Sequence, residues 1–289
     1  MTKKESKIGS KEPQNRQKPG YSTASKRPFL LLTNDDGIHS PGIVHLWQAV
    51  REFADVCVIA PAFEKSGSSM SITWTKPLTI TPIAWEGGVR AWSLNGAPAD
   101  CVKMALSAPL LERRPDMIIS GVNRGSNLGQ TVLYSGTVGA CIEGSLKSIP
   151  SIAFSFCDLD PPPLSVTKDY IFPLIQYFLQ HPFRRGTLLN VTFPHNCKEG
   201  VKGVRMARQG KGQWAEAPEK RIHPEGEPYY WLGGKWHSSG EEPDSDVALS
   251  DEGYIAVAPI YVGDLTDQSF LAHHKPSLDK FFDDRAKLP

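Results

Sequence analysis

From Pro28 to about residue 195, short apolar runs stopped by polar turns alternate with longer stretches of helical period. Phe29-Leu30-Leu31-Leu32-Thr33 has no polar alternation and halts at Asn34-Asp35-Asp36-Gly37. This predicts a strand buried on both faces that ends in a turn. Pro41 opens a helical stretch with Ile43, Val44, Leu46, Trp47, Val50 and Phe53 on one face, and Val56-Cys57-Val58-Ile59-Ala60 is a second buried strand. Leu78–Thr81 and Val89–Leu94 flank Glu86-Gly87-Gly88, which predicts a hairpin-like pair. A helix over about 99–111, a strand at 117–120, a helix at 137–147 and a strand at 151–156 follow. The next elements are a helix at 166–179, with Pro173 as a kink, and a strand at 188–191. Strands alternating with helices in this order predict an α/β fold, a Rossmann-like, doubly wound, mainly parallel sheet, in a domain spanning 28–195. Beyond it the pattern turns strand-like and loop-rich, with strands at 204–208, 229–232 and 254–257. Residues 196–289 are thus expected to form a β-rich C-terminal arm, used in oligomerisation, with a short terminal helix at 278–285.

Charge adds a boundary at the other end. Before Pro28 stand Lys3, Lys4, Lys7, Lys11, Arg16, Lys18, Lys26 and Arg27 against only Glu5 and Glu12. That excess of +6, in a chain of net charge +1, leaves the body at −5. With almost no apolar residues, 1–27 is expected to be a disordered basic tail, a solvated extension rather than a specific contact with RNA or a membrane surface. It contains no apolar core of a secretory signal, and the chain has no run of about 18 apolar residues that would span a membrane. No stable nucleic-acid partner is expected. Cys57, Cys101, Cys141, Cys157 and Cys197 are scattered, odd in number and without C-x-x-C. They read as reduced thiols in a cytoplasmic protein with no zinc site.

In an open α/β sheet, ligands gather beyond the carboxyl ends of the strands. The loops predicted there are unusually polar: Asn34-Asp35-Asp36-Gly37, Lys65-Ser66-Gly67-Ser68-Ser69, and Asn123-Arg124-Gly125-Ser126-Asn127 followed by Ser135-Gly136-Thr137. Adjacent carboxylates repel unless a proton or cation intervenes, and oxygen ligands suit one hard divalent ion, Mg²⁺ or Mn²⁺, with Ca²⁺ also fitting. Taken alone, Asn-Asp-Asp-Gly fits a turn with a helix cap equally well. Ser135-Gly136-Thr137 at a helix start offers hydroxyls and free N–H groups to a phosphate, though a plain N-cap explains it too. Lys65 and Arg124 could add positive charge. Walker A, G-x-G-x-x-G, H-E-x-x-H and G-x-S-x-G patterns are absent. His273-His274 is expected on the surface, and the acidic stretch 241–251 as a solvated loop.

Several of these segments occur together in one family. Thr33–Ile38, Ala60-Pro61 through Ser66-Gly67, Asn95–Lys103, and Ser120–Gly129 through Tyr134–Val138 resemble the SurE family of 5′/3′-nucleotidases, and Asp251–Tyr254 is similar to its C-terminal strand. The resemblance covers about Pro28 to Leu265. It implies metal ligands at Asp35, Asp36, Ser66 and Asn123, and phosphate contacts from Asn95, Asn127, Ser135, Gly136 and Thr137. It also implies a Rossmann-like core, a dimerising arm giving a homodimer or tetramer, and hydrolysis of nucleoside monophosphates, with short polyphosphate as a further substrate. That is the chemistry of a 5′-nucleotidase, an acid-type phosphomonoesterase, in which Asp35 or Asp36 assists catalysis. Ala62 departs from the family, whose members usually carry Asp after Ala-Pro, and the tail before Pro28 has no counterpart in typical members. The rival readings are a non-enzymatic phosphate- or nucleotide-binding module, which needs no paired carboxylates, and a nucleotide-cofactor enzyme, which lacks its glycine fingerprint here.

Overall fold

The computed structural model describes residues 27–108, 113–157, 164–195 and 197–285; apart from Arg27, the basic tail lies outside them. Strand β1 (Phe29–Thr33) is buried throughout, and its side chains alternate between two cores, as the period of a strand requires. Leu30 and Leu32 join Ile43, Leu46 and Trp47 of helix α1 (Pro41–Val50) in one core. Phe29 and Leu31 join Cys101, Val102 and Ala105 in the other. The main body continues through β2 (Asp55–Pro61), β3 (Ile80–Ile83), β4 (Arg90–Leu94), α2 (Pro98–Ser107), β5 (Met117–Asn123), α3 (Gly136–Leu146), β6 (Ser151–Phe156), α4 (Leu164–Gln180) and β7 (Thr187–Phe193). Helices α1 and α4 pack together on one face, α2 and α3 on the other.

After β7 come β8 (Val204–Met206), β9 (Gln213–Glu216), β10 (Glu219–Ile222), β11 (Pro228–Trp231), β12 (Gly234–His237), α5 (Asp246–Asp251), β13 (Ile255–Tyr261) and α6 (Gln268–Arg285). The nine-stranded sheet has the order β3-β4-β2-β1-β5-β6-β7-β13-β8. Its pairs are parallel except β3 with β4 and β13 with β7. β1 lies between β2 and β5, so the chain reverses its winding there and opens a crevice at the carboxyl end of the sheet.

The sheet does not end near residue 195. β13, apolar and buried over its first four residues, pairs with β7, and β8 follows it. Outside that sheet, the described C-terminal strands form two antiparallel pairs, β9–β12 and β10–β11. The terminal helix is longer than the expected 278–285 because it begins at Gln268 and continues through Pro276. The acidic stretch 241–251 is only partly a solvated loop, since it contains α5 with Asp246 buried at 1% exposure. His273 and His274 lie exposed on α6, as expected, and all five cysteines are buried. No helix among the described residues is long and apolar enough to cross a membrane.

Candidate active site

The Asn34–Gly37 turn is built by Asn34 rather than by the two aspartates. Its side-chain amide donates to the Gly37 carbonyl (2.9 Å) and to Ser40 Oγ (2.7 Å). Asp35 and Asp36 are thereby released from capping duty and project at the switch point. The Lys65 N–H donates to the Asp35 carbonyl (2.7 Å) and the Ile38 N–H to the Pro61 carbonyl (2.8 Å), so the loop after β2 is drawn over the turn. From the other side the Arg124 N–H donates to Asp36 Oδ2 at 3.2 Å.

This second approach depends on an irregularity in β5. Its register against β6 shifts between Ser120 and Asn123. Gly121 sits there at φ +125°, where an added Cβ would lie 2.3 Å from the Phe154 carbonyl oxygen; only glycine fits. Asn123 closes the strand, buried, and gives its amide N–H to the Gly125 carbonyl (2.8 Å).

Helix α3 completes the site. The Thr137 hydroxyl donates to Asp35 Oδ1, and Ser135 caps the helix by accepting from the Val138 N–H (3.1 Å). Gly136 allows close approach, because a Cβ there would stand 2.8 Å from Asp35 Cβ and 2.7 Å from Ser68 Oγ. Asp35 is thus sealed beneath the start of α3, while Asp36 opens on a cavity of about 580 Å³ shared with His39, Glu64, Ser66, Val122, Arg124 and Phe156.

Burial raises the carboxyl of Asp35 above the usual carboxylate range, against the hydrogen bond from Thr137. Burial first, and then the neighbouring Asp35, push Asp36 up to about 6. The hydrogen bonds from Thr137 and Arg124 therefore compensate the two ionised forms only in part. The oxygen atoms at hand are hard: two carboxylates, the Ser66 hydroxyl, which donates to Glu64 (2.8 Å), and the Asn123 amide oxygen. Among the described residues no three His, Cys, Asp or Glu side chains form a metal-holding cluster, so a cation here would draw on neutral oxygens beside the pair. Such a set fits a hard divalent ion.

Besides Thr137, which is held by Asp35, two residues of the expected phosphate set are otherwise engaged. Exposed Asn95, after β4, accepts from the Thr79 N–H (2.8 Å). Buried Asn127 donates its amide to Ser155 Oγ (2.6 Å). Gly136 and Thr137 lie against Asp35, Ser135 caps the same helix, Ser66 shares the cavity with Asp36, and Asn123 directly precedes Arg124, whose N–H reaches Asp36. Glu64 lies within the Ala60–Gly67 segment but was not singled out, because a lone loop acid carries no signal of its own, although its charge acts on both aspartates.

Fold and site together define a doubly wound α/β protein whose switch point holds paired carboxylates beneath a helix start. A family model described as Survival protein SurE matches residues 30–216. The chain is 45% identical over 259 residues to the 5′-nucleotidase SurE of Protochlamydia amoebophila (strain UWE25), a match covering 89% of this chain and 99% of that protein. It is 39% identical over 243 residues to the 5′-nucleotidase SurE of Moorella thermoacetica, covering 84% and 93%. Among solved structures, the SurE protein from Aquifex aeolicus superposes with a TM-score of 0.74 at 35% identity, covering 86% of this chain and 98% of that one. The chain belongs to the SurE family.

Proposed function

We propose that this chain is a cytoplasmic, divalent-metal-dependent phosphomonoesterase that releases phosphate from nucleoside 5′-monophosphates, with 3′-monophosphates as a second substrate class. The nucleotidase names of its relatives support the reaction class. The observation that carries the reading is that the first of two adjacent carboxylates, Asp35, lies against the start of α3. Two carboxylates beside an anion-binding helix terminus repel a phosphate dianion unless a cation stands with them. A simple phosphate-binding module gains nothing from that pair.

Asp35, Asp36, Ser66 and Asn123 would hold the ion, Mg²⁺ or Mn²⁺. When bound, it neutralises phosphate oxygens and lowers the pKa of a water. The positive end of α3, where Ser135, Gly136 and Thr137 stand, receives the phosphate oxygens, with the Gly136 N–H and the Ser135 hydroxyl as donors. Thr137 fixes Asp35 in one orientation. Asp36, open to the cavity, is the carboxylate placed to exchange a proton with a water there. The nucleoside occupies the cavity between His39 and Phe156.

Phosphate release from a panel of nucleoside monophosphates, with chelator and with restored Mg²⁺ or Mn²⁺, tests the proposal. Turnover abolished by chelator and recovered with metal is expected. Equal turnover with chelator, or none with metal, refutes it.

A further inference from the structure

Between Asn123 and Ser135 the site loop has no helix or strand except the 3₁₀ turn Gly129–Leu133, so other parts of the chain must hold it in place. The C-terminal segment does so through one carboxylate. Asp246, the first residue of α5, is buried. It accepts from the Gly129 N–H at 3.1 Å, the Gly210 N–H at 2.8 Å and Gln209 Nε2 at 2.6 Å.

Gln209 also donates to the Gly129 carbonyl (2.7 Å) and the Asn127 carbonyl (3.4 Å). Asn190 on β7 donates to the same Asn127 carbonyl (2.8 Å) and to Gln209 Oε1 (3.3 Å). A neighbouring backbone tie runs from the Gln130 N–H to the Gly212 carbonyl (2.7 Å). Asp246 and Gln209 are therefore the centre of a largely buried network in which Asn127, Gly129 and Gln130 are gripped by residues more than sixty positions later in the chain. An ordinary first-turn acid on a helix would face its own N–H groups and solvent. This one spends most of its hydrogen bonds on two other segments.

We propose that Asp246 is a positioning residue for the hydrolysis: through Gly129 and Gln209 it sets the path of the loop that joins Asn123 to the phosphate-binding start of α3. The proposal rests on the nucleotidase reading of the site. It assigns to the region beyond residue 204 a part in building the active site.

The test uses the full chain with saturating Mg²⁺ or Mn²⁺ and a nucleoside 5′-monophosphate, comparing wild type with Asp246→Asn, Gln209→Ala and Asp244→Asn. Asp244 is exposed and its carboxylate pairs with Arg208 (2.7 Å), so its variant reports nonspecific damage to the region. Asp246→Asn keeps the size and one acceptor oxygen. It is expected to lower kcat at least tenfold, to weaken inhibition by inorganic phosphate severalfold, and to change the half-saturating metal concentration less than threefold. Gln209→Ala, at a half-buried position that leaves Asp246 its backbone donors, shows the same pattern at three- to tenfold, with an unchanged melting temperature. Asp244→Asn matches wild type.

Hydrogen exchange over residues 123–135 is read alongside. It should quicken in the Asp246 and Gln209 variants relative to wild type, while exchange over β1 stays as it was. Folded variants with wild-type turnover, or with unchanged exchange in that loop, overturn the proposal even though the enzyme is active. Wild type that releases no phosphate under these conditions refutes the nucleotidase reading and the proposal with it.

Discussion

Asp36 shows how two charges can be destabilising and still be retained. Its carboxyl titrates near 6 because burial and Asp35 both disfavour the anion. In the chelated protein, ionising both carboxylates is therefore costly. Asp36→Asn removes one charge while keeping size and turn propensity, so the metal-free fold should be equally stable or more so. Turnover should fall at least about a hundredfold, roughly 2.7 kcal/mol of lost transition-state stabilisation. Melting of the chelated proteins and turnover against Mg²⁺ or Mn²⁺ check both halves, and chelator-resistant, near-normal hydrolysis by the variant would count against the metal assignment. Asp246 gives a separate pH signature. Burial raises its folded value to about 6, above the ~3.9 of an unfolded Asp. The folded chain then binds that proton more tightly, so the contribution is fully present below about pH 4 and is lost as pH rises through about 6. Asp246→Asn cannot titrate. The stability of wild type relative to the variant should therefore grow as pH falls from 7 to 4, by up to about 3 kcal/mol. Urea unfolding of chelated protein across that range measures it, and a pH-independent gap refutes it.

At the scale of elements, the site depends on where strands end. β5 must shift register after Ser120 to bring Asn123 and Arg124 beside Asp36. Gly121→Ala sets a Cβ 2.3 Å from the Phe154 carbonyl at a positive φ. It should destabilise the fold by about 2 kcal/mol or more and move the Asn123 end of the strand, with turnover lost beyond what residual folding explains. Melting temperature and activity per folded molecule, read together, check this. β1, β2 and β6 were legible in the sequence because a strand buried on both faces reads as an uninterrupted apolar run. The switch point followed, and with it the acidic turn. The return of β13 to the sheet was not legible, since Ile255–Tyr261 looks the same whether it pairs with β7 or stands in an arm. Asp246 was hidden for a related reason. Amid Glu241, Glu242, Asp244 and Asp251 it reads as one more solvated acid, and only its partners more than thirty residues away in sequence mark it out. Asn127 and Asn95 could be picked as polar loop residues, but their backbone and side-chain partners depend on tertiary placement.

The whole molecule holds a core fold and an unfinished surface. Arg27 reaches the Arg51 and Ala54 carbonyls (2.9 and 3.0 Å) and pairs with Asp55 (3.3 Å), so the described fold begins there. A chain begun at Arg27 should keep its folding and most of its turnover, because every candidate site residue lies after Thr33; a large loss would mean that the tail acts on the site. The other end makes the opposite demand. No residue of α6 is buried, yet it displays Phe270, Leu271, Leu278, Phe281 and Phe282, while Trp214, Tyr230 and Trp231 stand open on the arm strands. An 18-residue helix interrupted by Pro276 is marginal in water without tertiary packing. Exposed two-stranded pairs are also marginal alone. Both problems are solved if a second copy of the chain covers these surfaces, since a symmetric contact buries each patch twice. The expected state in solution is therefore a homodimer or tetramer. Light scattering at micromolar concentrations should return at least twice the chain mass of 31.8 kDa. Ending the chain after Thr266 should shift the mass downward and lower the melting temperature. A mass near that of one chain across the concentration range, in a folded and active protein, would leave those aromatic side chains facing water and reject the assembly.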